Sequence, residues 1–240
     1  MSVPLSRRHL FRLGGASAAA LALAACAGSS DAATAATPTV PALPENPTAA
    51  QALQALKDGN ARFVATKPGY PNQTATLRAS LTDGQKPFAT VIGCVDSRVP
   101  PELVFDQGLG DLLVCRNAAH VVDDAAMGST IFGATALGIP LIVVLGHNSC
   151  GAISAAIGAI ETNTPAPDAV DSLVQAIKPA IKAVAGKPGN RNDNVEQAHT
   201  ELTVALLKAN KVLAPLVTAG TVQVVGAEYD LASGKVTFLG

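Results

Sequence analysis

The sequence predicts an α/β fold with a mostly parallel central β-sheet flanked by helices. Three short apolar runs rich in β-branched residues occupy residues 88–93, 112–115 and 141–145, without the polar alternation of a half-exposed strand. Continuous apolar runs of this length indicate strands buried on both faces of a parallel sheet. With 48% hydrophobic and 15% charged residues, the chain has enough apolar material for such a core.

Residues 1–25 have the pattern of a signal peptide of the twin-arginine type. The paired arginines Arg7 and Arg8 precede an Ala-rich apolar stretch at residues 13–25. That stretch is shorter than the ~20 residues that a membrane-spanning helix needs, which favours a cleaved export signal.

Residues 23–26 resemble a bacterial lipobox, in which Cys26 would be lipidated and become the mature N-terminus. The alternative is ordinary cleavage after a small residue, with Cys26 incidental. Residues 26–48 are rich in Ala, Thr, Pro and Ser without periodicity, and they are predicted to form a disordered tether to a folded domain at residues 49–240. The sequence thus predicts an exported, extracytoplasmic lipoprotein that contacts the membrane only through its lipid anchor. The formal charge of −1 indicates no nucleic-acid partner.

The folded domain is predicted to begin with a helix over residues 48–66. The apolar stripe of this helix consists of Leu53, Leu56, Phe63 and Val64. Further helices are predicted over residues 123–137, 168–185 and 194–209. The last of these has a predicted apolar face made of Val195, Ala198, Leu202 and Leu206. Strands at residues 221–225 and 235–238 close the chain, and the short turn at residues 232–234 predicts a hairpin.

Two polar clusters follow the first and third of the apolar runs. Cys94, Asp96 and Arg98 come after the first run, and His147 and Cys150 come after the third. Open parallel sheets place their sites at the carboxyl ends of strands, so the two clusters are expected to meet. Two thiolates and one imidazole suit zinc, and three protein ligands leave the fourth tetrahedral position open for water. The sequence therefore predicts one catalytic Zn²⁺ per chain, held by Cys94, His147 and Cys150.

Asp96 and Arg98 are predicted to act on the water at this zinc. A carboxylate can accept the hydrogen bond of zinc-bound hydroxide, and an arginine can hold that carboxylate by a charge-assisted pair. Without Arg98, the Asp96 side chain would be free to bind the metal, so the pair is also a candidate on/off switch. Each motif taken alone has a plainer interpretation, a solvated loop for CxDxR and a structural half-site for HxxC.

The cysteine count agrees with a metal site. Four cysteines in an exported chain would first suggest two disulfides, but a lipidated Cys26 and two thiolate ligands leave only Cys115. Cys115 lies in an apolar run and is interpreted as a buried small hydrophobe. Export in the folded state would allow zinc to bind before oxidation could join Cys94 to Cys150.

Together these motifs resemble the β-class carbonic anhydrases. The chain is similar to that family in the CxDSR segment at residues 94–98 and in the GHxxCG segment at residues 146–151. It is also similar in GDLLVCRNA at residues 110–118 and in LKDGNARF at residues 56–63. The similarity covers roughly residues 50–240, and it implies that residues 49–240 form a carbonic-anhydrase-like catalytic domain with an N-terminal helical arm.

The resemblance implies reversible hydration of CO2 to bicarbonate and a proton by zinc-bound hydroxide. It implies that the three predicted ligands bind zinc and that Asp96 and Arg98 form the catalytic dyad. It also implies that Gln85 binds substrate, although Gln85 can equally be a polar turn residue. The active unit would be a homodimer or tetramer, with the helical arm packed on the partner subunit and the site near the interface.

Several further residues are open to more than one interpretation. His120 is interpreted as a surface or interface histidine, with a proton shuttle as the alternative. His199 is interpreted as a surface residue of its predicted helix. Arg116 and Asn117 support the dimer or the site, or are purely structural. The chain contains no Trp, so a regulatory bicarbonate pocket built on one is not expected.

Two other functions are compatible with the same residues. Hydrolysis of carbon disulfide or carbonyl sulfide would use the same scaffold, zinc, Asp96 and Arg98. A non-catalytic bicarbonate-binding lipoprotein, or one with a purely structural zinc, would show no CO2 hydration and little effect of Asp96→Asn. The open coordination position and the intact dyad favour an enzyme.

Overall fold

The computed structural model describes residues 39–239 of the 240-residue chain. The predicted signal at residues 1–25, the lipobox with Cys26 and most of the predicted tether lie outside these described residues. Residues 39–48, the end of that tether, contain no helix or strand, and Leu43 packs against the core. Within the described range, every helix is too short or too polar to serve as a membrane span.

Five strands in the described residues form a single sheet. They are β1 (Ala89–Cys94), β2 (Leu112–Asn117), β3 (Leu141–His147), β4 (Gln223–Tyr229) and β5 (Val236–Phe238). The order is β2-β1-β3-β4-β5, with the first four parallel and β5 antiparallel to β4. Every residue of β1 and β3 is buried, so the prediction of a mostly parallel, doubly covered sheet is confirmed. The antiparallel β4–β5 pair confirms the predicted hairpin.

Helices cover both faces of this sheet. Those in the described residues are α1 (Ala49–Val64), α2 (Ala75–Ser80), α3 (Pro101–Val104), α4 (Asp124–Ala136), α5 (Gly151–Glu161), α6 (Val170–Ala183), α7 (Arg191–Ala209) and α8 (Leu213–Thr218). Alternate strand residues face opposite sides. Val91 and Val143 lie in one core with α1 and α3, and Ile142 and Val144 lie in another with α4, α7 and α8. A third cluster, from α5, α6 and the start of α7, packs around Cys94 at the end of β1.

The strand register brings the predicted ligand segments to one edge of the sheet. Gly93 of β1 pairs with Leu145 of β3, so Cys94 ends its strand beside Gly146 and close to His147. On the other side, Cys94 pairs with Asn117 of β2. All three strands are parallel, and their carboxyl ends therefore form one rim on which polar side chains can converge.

A buried amide fastens α1 to the rest of the domain. Asn60 donates hydrogen bonds to the carbonyl oxygens of Val104 (3.0 Å) and Gly234 (2.8 Å), and its own carbonyl accepts from the Val236 N–H at 2.8 Å. Beside it, Gly59 lies directly against the backbone of Phe105, where an added Cβ would sit 1.8 Å from the carbonyl oxygen. The Gly-Asn pair therefore allows α1 to pack closely on α3 and the β4–β5 hairpin.

Gly59→Ala is expected to destabilise the domain by about 3 kcal/mol, because the backbone of Phe105 cannot yield as a flexible side chain would. The measurement is the free energy of unfolding in urea at fixed protein concentration. Gly128→Ala is the matched control: Gly128 lies in α4 with nothing within 4 Å of an added Cβ. That substitution should stabilise the helix by about 0.5–1 kcal/mol. Equal effects of the two would contradict the packing argument.

Two helix predictions were wrong in part. On α7, Leu202 and Leu206 are 42% and 51% exposed, although they were assigned to the apolar face. The buried stripe of α7 is instead largely polar, and its members are Val195, Glu196, His199, Thr200, Thr203 and Leu207. On α1, Leu56 is fully buried as predicted, but Val64 is 42% exposed because it lies in the last turn.

Candidate metal centre

Three side chains from two strand ends meet at the carboxyl rim of the sheet. Cys94 is the last residue of β1, His147 is the last residue of β3, and Cys150 is the N-cap residue of α5. Their ligand atoms all lie within 4.8 Å of one another, and all three residues are buried. The structure thus brings together the three residues predicted to bind a metal.

The turn between His147 and Cys150 is fixed by its own side chains and backbone. Asn148 donates to Oδ2 of Asp230 at 2.7 Å, and its side-chain oxygen accepts from the Leu231 N–H at 2.9 Å. Ser149 has a left-handed φ of 54°, which non-glycine residues adopt only when neighbouring contacts hold them. The turn therefore ties both ligands to the β4–β5 hairpin.

The geometry of the two sulfurs and the imidazole suits zinc. The Sγ atoms of Cys94 and Cys150 are 4.0 Å apart, near the roughly 3.8 Å expected for two thiolates at 2.3 Å from a tetrahedral Zn²⁺. Both cysteines are free, since this separation is about twice a disulfide bond length. Nδ1 of His147 lies 2.9 Å from the Asn148 carbonyl oxygen, whereas Nε2 is buried without a partner. Since a carbonyl oxygen only accepts, Nδ1 carries the proton, and the unprotonated Nε2 is free to bind a metal.

The two thiols differ in their proton affinity. A hydrogen bond from Cys150 lowers the pKa of Cys94, and the Ala119 N–H, 3.3 Å from Cys94 Sγ, acts in the same direction. The same hydrogen bond between the two sulfurs raises the pKa of Cys150, and burial raises it further. A metal ion requires both thiols to release their protons, so the proton held between the sulfurs is the one that binding must displace.

Asp96 lies beside this centre as a bidentate partner of Arg98. Nε and Nη2 of Arg98 donate to Oδ1 and Oδ2 of Asp96 at 2.9 and 2.7 Å. The Arg98 backbone N–H also donates to Oδ1 at 2.9 Å. These bonds hold the pKa of Asp96 well below its usual range, so the carboxylate is ionised at neutral pH. Oδ2 lies 3.9 Å from Nε2 of His147, which places a hydrogen-bond acceptor next to the metal position.

Arg116 supports the loop that carries Asp96. Its Nε donates to the Cys94 carbonyl at 2.8 Å, and its Nη2 donates to the Asp96 carbonyl at 2.6 Å. Asn117 makes a separate bond to the Val121 carbonyl at 2.9 Å. Within one chain, Arg116 therefore fixes the backbone from which both the ligand and the carboxylate project.

Gln85 does not join this group within one chain. It is exposed and precedes the amino end of β1, whereas Cys94 forms the carboxyl end. A six-residue strand is roughly 17 Å long between these ends. A role for Gln85 in substrate binding therefore requires a second subunit, and it stays a prediction.

A buried polar cluster lies behind the ligands, and the sequence did not reveal it. Oε1 of Glu196 accepts the backbone N–H of His147 at 3.0 Å. The same oxygen is 3.4 Å from Nδ1 of His120, whose ring lies against that of His199 at 4.7 Å between centroids. His120 is 0% exposed and His199 is 5% exposed, so the interpretation of His120 as a surface or interface histidine and of His199 as a surface residue was wrong. The sequence did contain one signal for this cluster, which is the helical spacing of four polar residues on one stripe of α7: Glu196, His199, Thr200 and Thr203.

A second carboxyl group borders the same cluster. An added Cβ at Gly146 would lie 2.5–2.8 Å from oxygens of Thr200, Glu196 and Glu228, so only glycine fits before His147. Burial raises the pKa of Glu196 to about 8 and that of Glu228 to about 7. Both carboxyl groups thus hold their protons to a higher pH in the folded state than in the unfolded chain, because burial disfavours the charged form.

The stability of the metal-free protein is expected to fall as the pH rises from about 4.5 to about 7. In this window the unfolded chain ionises Glu228 while the folded state retains the proton, so unfolding becomes more favourable. Glu228→Gln should remove on the order of 2 kcal/mol of this pH dependence in urea unfolding measured from pH 4 to pH 8. Exposed Glu102→Gln is the control and should leave the slope unchanged. An unaltered slope in Glu228→Gln would contradict the assignment.

Comparison with known proteins shows that this sequence is similar to those of carbonic anhydrases. The sequence profile of a family described as carbonic anhydrase matches residues 89–236. Carbonic anhydrase 2 of Mycobacterium tuberculosis is 44% identical over 181 residues, covering 75% of this chain and 87% of that protein. A carbonic anhydrase of Mycolicibacterium smegmatis is 47% identical over 183 residues, covering 75% and 88%.

Solved structures agree at the level of the fold. A structure from a study of two tetrameric β-carbonic anhydrases of Sordaria macrospora has a TM-score of 0.64 at 23% identity, covering 78% of this chain and 96% of that chain. A β-carbonic anhydrase of Aspergillus fumigatus has a TM-score of 0.60 at 25% identity, covering 78% and 90%.

Proposed function

Because this chain belongs to the β-class carbonic anhydrase family, we propose that Cys94, His147 and Cys150 hold one zinc ion for its reaction, the hydration of CO2. The observation that carries the proposal is the convergence of two sulfurs and an unpartnered imidazole nitrogen next to an ionised Asp96–Arg98 pair. This donor set leaves one position of a tetrahedral ion for water.

Zinc would supply the Lewis acidity that lowers the pKa of a water molecule to near 7. Asp96, held in place by Arg98, would accept a hydrogen bond from this water and orient it toward the carbon of CO2. Arg98 also restrains the carboxylate, which lies only 3.9 Å from the ligand nitrogen of His147. The dyad would thereby position the attacking water while remaining off the metal.

The test is stopped-flow CO2 hydration by the mature chain, metal-depleted and then restored with one equivalent of zinc. Turnover that disappears on depletion and returns on restoration is the expected result. Rates at buffer level in the zinc-loaded protein at pH 7 and pH 9 would refute the proposal. Release of hydrogen sulfide from carbon disulfide or carbonyl sulfide, without CO2 hydration, would assign the alternative hydrolase activity.

We further propose that the active unit is a homodimer or tetramer in which Gln85 of one subunit faces the metal centre of another. The support is the position of Gln85, which its own chain holds about a strand length away from Cys94. Sedimentation equilibrium should give at least a dimer, and Gln85→Ala should raise KM for CO2 or bicarbonate. A fully active monomer would contradict this assembly.

Export and lipid anchoring at Cys26 are also proposed, on the basis of the sequence pattern of residues 1–26. The expected result is that Cys26→Ser abolishes incorporation of a labelled fatty acid and releases the protein from the membrane fraction. Unchanged membrane association of Cys26→Ser would exclude the anchor.

A further inference from the structure

The buried polar cluster behind the ligands has no direct part in the chemistry proposed above. We define the His120 cluster as His120, Glu196, His199 and Thr200. Their side chains or rings contact one another beneath the carboxyl ends of β1 and β3. All four residues are at most 5% exposed. A polar cluster of this size is costly to bury in the protein interior, so we expect it to have a specific role.

The cluster contacts the backbone of His147 through the carboxyl group of Glu196. Oε1 of Glu196 accepts the backbone N–H of His147 at 3.0 Å, and Nδ1 of His120 lies 3.4 Å from the same oxygen. On its other side, the His120 ring places Nε2 3.5 Å from the hydroxyl oxygen of Thr200. Burial lowers the pKa of His120 well below its usual range, so the ring is neutral. Its Nε2 is hydrogen-bonded with Thr200, whereas Nδ1 packs against the Glu196 oxygen without a hydrogen bond.

The cluster is connected to Cys94 through the backbone turn at Ala119 and His120. Ala119 and His120 have φ values of 50° and 45°, two consecutive left-handed residues without glycine. Each such residue costs roughly 1–2 kcal/mol, so the turn persists only if neighbouring contacts hold it. The Ala119 N–H produced by this turn points at Cys94 Sγ from 3.3 Å. The buried side chain of His120 is the anchor of the turn on α7.

Resting on the zinc site proposed above, we propose that His120 is a positioning residue that sets the metal affinity of the centre. Its ring, packed between Glu196, Thr200 and His199, holds the left-handed turn that directs the Ala119 N–H to Cys94. It also restrains the carboxyl group of Glu196, which accepts the backbone N–H of His147. One buried histidine thereby couples the two strand ends that supply ligands. Residues that orient metal ligands in this way typically change metal affinity 10–100-fold when replaced.

The test compares His120→Phe and His120→Leu with the wild-type chain. The phenylalanine keeps a ring against His199 while removing both nitrogens, and leucine removes the ring as well. Zinc affinity is measured by competition with a chromogenic chelator, and the Co²⁺-substituted proteins are compared by their sulfur-to-cobalt absorption bands. We expect a 10–100-fold weaker zinc affinity and a shifted charge-transfer band in both variants. His120→Gln, which restores a donor and an acceptor, should recover the affinity to within about fivefold.

Leu213→Ala supplies a control of comparable burial. Leu213 is 0% exposed in α8 and lies in a different core cluster, so its loss should lower stability without changing zinc affinity or the cobalt spectrum. Folding of each variant is monitored by circular dichroism. Zinc affinity within threefold of wild type in a folded His120→Phe or His120→Leu protein would overturn the proposal. Failure of both variants to fold would overturn it as well, because His120 would then support the domain and not the metal.

The outcomes also separate this inference from the proposed function. If the wild-type chain binds no stoichiometric zinc, the proposed metal site itself fails. If the wild-type chain binds zinc and hydrates CO2 but the His120 variants bind zinc equally well, only the positioning role fails.

Discussion

Replacing Cys94 by alanine is expected to remove the zinc ion and to lower kcat/KM for CO2 hydration by on the order of 10³-fold or more. The remaining imidazole and thiol would give a two-ligand site, and such a site cannot hold zinc against dilution. The thiol of Cys150 would also lose its hydrogen-bond partner, while its burial would still disfavour the thiolate that zinc requires. Zinc per chain, measured by atomic emission, and stopped-flow turnover provide the two readouts.

Cys115→Ala is the matched control for this experiment. Cys115 is also free, but it lies half-buried in β2, and burial raises the pKa of its thiol. Its substitution should leave both the zinc content and the turnover unchanged. One equivalent of zinc together with more than a tenth of wild-type activity in Cys94→Ala would show that the assigned ligand set is wrong.

The ligand positions could be predicted because strand ends follow directly from local sequence. The run before His147 is entirely apolar, the run before Cys94 contains only one polar residue, the buried Thr90, and a parallel sheet brings such ends to one rim. The spacing of His147 and Cys150 then needs only one tight turn. The chemistry of the centre was therefore predictable from residues adjacent in the chain.

The buried polar residues behind the ligands could not be predicted from local sequence in this way. Apolar periodicity assigned Leu202 and Leu206 to the buried side of α7, but the helix is rotated so that Glu196 and His199 face inward. What fixes this rotation is long-range: the backbone N–H of His147, 49 residues away, needs an acceptor, and Glu196 provides it. Helix α5 was also missed, because its Ala-, Gly- and Ile-rich sequence has no polar stripe to define a period.

Arg98→Ala is expected to lower kcat/KM on the order of 100-fold while zinc remains bound. The loss should not come from protonation of Asp96. Without Arg98, the pKa of Asp96 would rise toward the ordinary value of about 4, still far below neutral. The loss should instead come from orientation, because the two bonds of 2.9 and 2.7 Å that fix the carboxylate disappear. The freed carboxylate can then move the short distance to the metal.

This reasoning predicts a specific pH dependence. If Asp96 is merely misoriented or bound to zinc, the defect in Arg98→Ala should persist from pH 6 to pH 9, since no group in the pair titrates there. Arg98→Lys should be intermediate, because lysine keeps the charge but cannot donate two parallel hydrogen bonds. Arg191→Ala is the control: Arg191 pairs with Glu161 at 2.8 Å at a half-exposed surface site, worth little to stability and remote from the reaction. Wild-type turnover in zinc-loaded Arg98→Ala would show that Asp96 keeps its position without the arginine.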